Sequence, residues 1–180
     1  MRMKFALAIL PACAALSLAA VDLPMPAQIV RADNGSSIDN ALVSSETLDQ
    51  IDYAIGEGGQ AKSSLKRSAI ARVVYAEVAD SAMAKAKGFA TRNETEKAAQ
   101  AYAQAAVTSP YWRVREESYL LAAEGLRTIG KPDEALKALA ELEAKAPRST
   151  FLPRALSLRV QILMSKGDRA GATAAITALA

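Results

Sequence analysis

The sequence predicts an all-α protein, and three observations favour this fold class. Of the 180 residues, 51% are hydrophobic but only 5% are aromatic, so alanine supplies much of the apolar content. Alanine is the strongest helix former, whereas strand-rich proteins draw on aromatic and β-branched residues. Apolar residues also recur at helical spacing. Finally, the pattern repeats along the chain from residue 79 onward.

The first 19 residues have the features of a secretory signal peptide. Arg2 and Lys4 form a short positive region, and an apolar run of about 14 residues follows them. Ser17 and Ala19 are small residues at the positions that a signal peptidase requires, which predicts cleavage after Ala19. We therefore expect a periplasmic or secreted protein.

A second interpretation of this segment concerns Cys13, the single cysteine of the chain. The run Leu10-Pro11-Ala12-Cys13 resembles the end of a bacterial lipoprotein signal, in which the cysteine carries lipid. Cys13 comes early for such a signal, and apolar sequence continues beyond it. Cleavage after Ala19 would discard Cys13, whereas lipidation would anchor the chain in the cell envelope.

Residues 20–43 are predicted to be a flexible linker. Pro24 and Pro26 disfavour regular structure, and the run Asn34-Gly35-Ser36-Ser37 is typical of a turn. Beyond the linker, we expect residues 44–180 to form one domain of helical repeats.

Two helices are predicted before the repeats. Leu48, Ile51 and Ile55 share one helix face at spacings of i, i+3 and i+7. The glycines between residues 56 and 59 would end this helix. A single apolar stripe then predicts a long helix over residues 64–91, so that the glycines form a hinge between the two helices.

The hinge stretch GEGGQAKSS, residues 56–64, comes within one residue of the phosphate-binding pattern G-x-x-x-x-G-K-[ST]. Ala61 stands where the last glycine allows phosphate to approach the backbone closely. A phosphate loop also needs a buried strand before it and a helix after it. The preceding TLDQIDYAI has helical spacing, and therefore no nucleotide binding is predicted.

A period of 37 residues runs through the second half of the chain. It relates Ala98, Ala135 and Ala172, small residues that suit the close approach of two packed helices. The same step relates a second set, whose members all tolerate the left-handed conformation at a helix C-terminus: Asn93, Gly130 and Gly167. Each unit is therefore predicted to be a helical hairpin that turns at this second position.

These units resemble the tetratricopeptide repeat family, whose period is about 34 residues. In that family a large apolar residue follows a small one after four positions, and a proline follows after twelve. Two units fit: Ala98/Tyr102/Pro110 and Ala135/Leu139/Pro147. The longer period departs from the family, and Ala86 and Ala123 stand where it often has glycine. The resemblance covers three units, at about residues 79–115, 116–152 and 153–180.

The junction APRSTFLPRAL is similar to junctions in exported bacterial members of this family, such as proteins of outer-membrane assembly and Tol-Pal-associated proteins. The resemblance implies a non-catalytic scaffold that binds a peptide or a partner domain on the concave face of the stack. It places the groove on the first helix of each unit, at Met83, Lys87, Glu117, Leu120, Glu124, Arg127, Arg154, Ser157, Gln161 and Met164. The alternatives are a lipoprotein anchored at Cys13 and a structural accessory subunit of an envelope enzyme or secretion machine.

Composition removes most catalytic and metal-binding classes. The chain has no histidine, and its single cysteine lies in the predicted signal. This excludes Ser-His-Asp and Cys-His catalysis, as well as Cys/His zinc sites. The net charge is +3 without a block of basic residues, so no nucleic-acid partner is predicted. We therefore predict no enzyme, no catalytic residues, no cofactor and no metal; the expected partner is a protein or peptide.

Trp112 is the single tryptophan, and it follows Tyr111 at the junction between the first two units. An exposed Tyr-Trp pair would be an anchor for a partner protein. A buried pair would instead fill the enlarged junction, and we favour burial of Trp112.

Overall fold

The computed structural model describes residues 22–177, so the predicted signal peptide and Cys13 lie outside it. Within the described range, five strands come first and six helices follow. Of these residues, 54% are helical and 25% lie in strands. The predicted all-α fold is therefore wrong: the protein is α/β, with strands and helices segregated along the sequence. No helix between residues 22 and 177 combines the length and apolar character needed to cross a membrane.

The strands form one antiparallel sheet in the order β4-β3-β2-β1-β5. Their bounds are β1 Met25–Arg31, β2 Ser37–Glu46, β3 Gln50–Ile55, β4 Ala61–Lys66 and β5 Ile70–Tyr75. The linker predicted for residues 20–43 is thus replaced by β1 and much of β2. Pro26 is tolerated because it lies at the start of β1, where its carbonyl accepts a hydrogen bond from the Ala76 N–H (2.8 Å).

The helix predicted from Leu48, Ile51 and Ile55 is also wrong, because alternation of period two decides this segment. Ile51 and Tyr53 are both buried in β3, whereas Leu48 and Ile55 are 49% and 39% exposed. Likewise, the helix predicted over residues 64–91 is divided into the end of β4, all of β5 and then a shorter helix. Three matches to helical spacing are too few to outweigh a neighbouring strand that offers a backbone ladder.

The sheet is strongly curled, and the length of one connection requires this. β4 and β5 lie at opposite edges, four strand spacings apart, or about 19 Å in a flat sheet. Only a 3-10 turn, Arg67–Ala69, joins them. The chain from Lys66 to Ile70 can reach at most about 14 Å. The edges must therefore bend toward each other, which gives a concave apolar face inside a half-closed barrel.

Six helices follow the sheet as three antiparallel hairpins. Their bounds are α1 Ser81–Thr91, α2 Thr95–Thr108, α3 Trp112–Thr128, α4 Pro132–Lys145, α5 Leu152–Ser165 and α6 Arg169–Thr177. The predicted turn residues Asn93, Gly130 and Gly167 have φ angles of 59°, 75° and 78°, which confirms their left-handed conformation. The three alanines of the 37-residue period are buried: Ala98, Ala135 and Ala172.

Trp112 joins the sheet to the helices. It lies at the first position of α3, yet its side chain is 6% exposed and packs among the buried residues of the sheet. The predicted burial of Trp112 is confirmed. What it fills is the space between the curled sheet and α3, and not a junction between two repeats.

Gly125 marks a close approach of α2 and α3. A Cβ atom added at Gly125 would lie 2.9 Å from the Cβ of Ala99. We expect Gly125→Ala to destabilise the protein by about 1–3 kcal/mol, because the helices must separate, although alanine has the higher helix propensity. Chemical denaturation followed by circular dichroism measures the change.

Gly88→Ala in α1 is the matched control for this substitution. A Cβ at Gly88 would lie 3.6 Å from the guanidinium of Arg92 and meets no backbone atom. We therefore expect Gly88→Ala to stabilise the protein by about 0.5–1 kcal/mol. Equal changes in the free energy of unfolding for the two substitutions would show that α2 and α3 can move apart at Gly125 without loss of stability.

Candidate functional site

A cleft of about 510 Å³ lies where the sheet meets α1 and α3; we call it the junction cleft. One wall is a continuous run of chain, residues 75–80, which leads from the end of β5 to the start of α1. The other walls come from α1 and from the first turns of α3. This volume falls within the range of about 300–1,000 Å³ that is typical of ligand sites.

The floor of the junction cleft is apolar. Met25 of β1, Met83 of α1 and Val114 of α3 are each about 5% exposed, and Val78 is half-buried beside them. Three separate elements thus contribute to one surface. Methionine side chains are flexible and adapt to differently shaped apolar groups. The floor can therefore accept an apolar side chain without requiring one shape.

Asp80 fixes the start of α1 and is already satisfied. Its side chain is buried and accepts hydrogen bonds from the Met83 N–H (2.7 Å) and from the Ser109 hydroxyl (2.6 Å). The first is an N-cap, and the second ties α1 to the end of α2. Both carboxylate oxygens are occupied, so Asp80 positions the cleft wall and is not available to a ligand.

Arg113 is held rigidly at the edge of the junction cleft by a buried carboxylate. Glu46 of β2 is 7% exposed and accepts hydrogen bonds from the Tyr75 hydroxyl (2.7 Å) and from Arg113 Nη1 (3.1 Å). The Arg113 guanidinium lies 4.1 Å from the ring centre of Tyr75 and 4.9 Å from that of Phe151. Such stacking fixes the plane of the guanidinium.

The same environment raises the pKa of Tyr75 above its ordinary value. Burial is the main cause, and the Glu46 carboxylate adds to it by its charge and its hydrogen bond. Tyr75 therefore stays neutral and keeps donating to Glu46. The cluster of Glu46, Tyr75 and Arg113 therefore links the sheet to α3. The positive charge of Arg113 is paired with Glu46 inside this cluster.

Glu116, behind this cluster on α3, has a pKa that is also raised. Burial is the main cause, and the hydrogen bond from the Ser149 hydroxyl (2.6 Å) opposes it. This contact ties α3 to the loop before α5. Glu116 does not line the junction cleft.

Three charged side chains remain at the rim of the junction cleft: Glu77, Lys87 and Glu117. Glu77 and Lys87 are exposed, and Glu117 is half-buried. Among the ion pairs formed within residues 22–177, none includes any of the three. The rim therefore offers two acids and one base to an incoming group.

The groove residues expected from the sequence divide between several environments. Met83, Lys87 and Glu117 come together in the junction cleft. Leu120 does not belong to any groove, because it is 1% exposed and lies in the core between α3 and its neighbours. Its apolar side chain is better explained by packing than by binding.

Of the other predicted groove residues, four lie between α3 and α5, and two are exposed elsewhere on α5. Glu124 forms an ion pair with Arg154 (2.6 Å), and Arg127 Nη1 donates to Gln161 Oε1 (3.2 Å). These four side chains connect the two helices to each other, so a ligand would have to break their contacts. The last two are exposed on α5 and do not line the junction cleft: Ser157 and Met164.

No pattern in the sequence indicates the cleft wall. Residues 75–80 fall within the helix predicted over residues 64–91, whereas in the structure they are the end of β5 and the connection to α1. A role for Arg113 is easier to expect from the sequence, because this arginine directly follows two aromatic residues, Tyr111 and Trp112. Its partner Glu46 could not be found from sequence, because 67 residues separate the two.

The stretch GEGGQAKSS is the loop of a β-hairpin, residues 56–60, followed by the first four residues of β4, and not a hinge between helices. The loop joins β3 to β4 through a 3-10 turn, Glu57–Gly59, and Gly56, Gly58 and Gly59 have positive φ angles. TLDQIDYAI therefore precedes it largely as a strand, contrary to the helix that we expected. A phosphate loop requires a helix after it; β4 occupies that place.

Neither the metal-binding side chains of the described residues nor the comparison with known proteins indicates a function. Between residues 22 and 177 there is no group of three or more acidic or cysteine side chains placed to hold a metal ion. No protein family matches the chain, and no curated protein or solved structure matches it either. The identification as a tetratricopeptide-type protein is therefore wrong, because a five-stranded sheet precedes the hairpins and no family supports it.

Proposed function

We propose that this protein is a non-catalytic interaction module that receives a segment of a partner protein in the junction cleft. The observation that carries the proposal is the combination in one place of an apolar floor, a wall of open chain and three charges that form no ion pair within residues 22–177. If residues 1–19 direct export, we propose that it acts in the periplasm or outside the cell.

The chemistry of the cleft favours binding over catalysis. Asp80 is used as an N-cap, and Arg113 is stacked and bound to Glu46. The remaining charges stand at an open rim, where water and salt screen them. An open rim around an apolar floor is typical of sites that bind side chains of a partner.

The proposal confines binding to the part of the helical face nearest the sheet. Farther along α3, the contacts of Glu124 with Arg154 and of Arg127 with Gln161 already satisfy the polar groups. A ligand at this part of α3 would exchange existing contacts for new ones, with water taking the place of any lost partner of the exposed Arg154, so it would gain little. The module therefore differs from the concave groove along three repeat units that the resemblance implied.

Filling the cleft should abolish partner binding. Ala84 is an exposed residue of α1 that lines the junction cleft, and Ala84→Trp would occupy its volume. With a photo-crosslinking amino acid at Lys87, we expect a defined partner adduct in cells, reduced at least tenfold by Ala84→Trp. The adduct is measured by immunoblot and its site by mass spectrometry.

Two controls are matched to this experiment on α4, away from the cleft. Ala140→Trp is an equally large change at an exposed helical alanine, and it should leave the adduct intact. The crosslinking residue placed at exposed Lys137 should give no such adduct. An adduct from Lys87 that survives Ala84→Trp would contradict the proposed function.

A further inference from the structure

We infer that the partner segment binds in an extended conformation along the open edge of β5 and the chain that follows it, and presents a basic side chain to Glu77 and Glu117. The inference rests on the proposed function, because it concerns the same cleft. It adds the backbone conformation of the partner and the sign of its charge.

The first argument concerns the backbone groups of the cleft wall. β5 is an edge strand that pairs only with β1. The Ala76 N–H donates to the Pro26 carbonyl and so points toward β1. Successive residues of an extended chain point their N–H groups to opposite sides, so that of Tyr75 points away from β1. This edge of the sheet lies open beside the cleft.

The wall continues this open edge beyond β5. Within residues 22–177, the N–H of Glu77, which in an extended chain lies on the same side as that of Tyr75, forms no hydrogen bond with another backbone carbonyl. The edge ends at the next residue, where the Val78 carbonyl accepts a hydrogen bond from the Asp80 N–H (2.9 Å) and the chain turns. Tyr75 and Glu77 both line the cleft. Unpaired backbone groups at a strand edge bind a further strand by adding to the ladder. No lysine or arginine lies in residues 75–79 to block such pairing.

The second argument concerns the apolar floor. Side chains of an extended segment alternate in direction, so every second one would point into the cleft. Met25, Met83 and Val114 form the buried surface that would receive it. The intervening side chains would point toward the rim. An extended segment therefore uses the wall, the floor and the rim together, which a helix of about 10 Å diameter would not.

The third argument concerns charge. Arg113 is neutralised by Glu46, whereas the buried Asp80 is bound to two neutral donors and adds its negative charge behind the rim. The remaining rim charges are Glu77 and Glu117 against Lys87. The rim is therefore acidic by one charge, and a lysine or arginine of the partner is the complementary group. Charge pairs at such a rim determine which partner is selected more than how tightly it is held.

The test uses the purified protein and two pools of fluorescein-labelled decapeptides. Both pools have random alanine, valine and threonine positions, with a central lysine in one and a central glutamate in the other. Fluorescence anisotropy should show at least tenfold tighter binding of the lysine pool. Glu117→Lys should reverse this preference, and Glu77→Lys is a second variant at an exposed position should Glu117→Lys fail to fold.

Controls separate the charge from the backbone contribution. Glu134→Lys places the same change at an exposed position of α4 and should leave the preference unchanged. Two further versions of the lysine pool are N-methylated at alternate peptide bonds, one at the odd-numbered bonds and the other at the even-numbered bonds. One version should bind about tenfold more weakly and the other almost unchanged, because only one edge of the peptide pairs with the wall.

Three outcomes would overturn the inference, and only the third would overturn the proposed function as well. Equal binding of both pools, or no binding of either, refutes the basic extended partner, while the Lys87 adduct and its loss in Ala84→Trp would still support the module. If Ala84→Trp leaves peptide binding unchanged, the junction cleft is not the binding site, and the proposed function is refuted as well.

Discussion

Replacing Trp112 with alanine is expected to lower the free energy of unfolding by about 3–5 kcal/mol, the largest effect of any single substitution proposed for this chain. The side chain is 6% exposed, and its Nε1–H donates to the Val43 carbonyl (3.2 Å). The rings of Trp112 and Tyr75 meet edge to face, with centres 6.3 Å apart. Alanine would leave a cavity between sheet and helices and a carbonyl without its donor.

Urea unfolding followed by circular dichroism measures this loss. Trp112→Phe is the control, since it keeps most of the ring but removes the N–H, and should cost about 1–2 kcal/mol. In Trp112→Ala the sheet and the helices could also unfold in separate transitions, because the link between them is weakened. A loss below about 1 kcal/mol would show that the space collapses around the missing ring.

Replacing Arg113 with alanine is expected to cost about 3 kcal/mol, because it removes a cation from a buried carboxylate. Glu46 is 7% exposed, and besides Arg113 it retains the Tyr75 hydroxyl and Arg67, whose Nε is 3.9 Å from Glu46 Oε1. Alanine would also remove the guanidinium that stacks on Tyr75 and Phe151.

A double-mutant cycle separates the charge from the packing. Glu46→Gln keeps the shape of the side chain without its charge, so the double variant should lose less stability than the two single losses combined. The control is Glu141→Gln, which breaks an exposed ion pair with Lys145 and should change stability little. Additive effects of Arg113→Ala and Glu46→Gln would mean that the two side chains are not coupled.

The helical half of the fold was predictable because its signals are local. Asn93, Gly130 and Gly167 can each adopt the left-handed conformation without regard to distant residues, and each one does. The periodic alanines identified the faces on which paired helices meet. The burial of Trp112 could likewise be expected from its size, although its partners in the sheet could not.

The candidate site was predictable only in part. Met83, Lys87 and Glu117 were identified because they share the first-helix face that the repeat pattern defines. Leu120 was misassigned because a helical face contains core and surface positions only one turn apart. The wall formed by residues 75–80 was missed altogether, since an extended connection has no periodic signature.

The sequence by itself determined the helical hairpins, their turns and the burial of the single tryptophan, because these depend on the periodicity and backbone preferences of neighbouring residues. Tertiary structure alone decided the sheet. Its strands are short, and β1 completes its ladder with β5, about 45 residues away. The spacing of Ile51 and Ile55 fits one face of a helix and one face of a strand equally, and only the partner strands settle which of the two forms. The junction cleft exists because the curled sheet meets the hairpins, so neither half of the sequence could have revealed it.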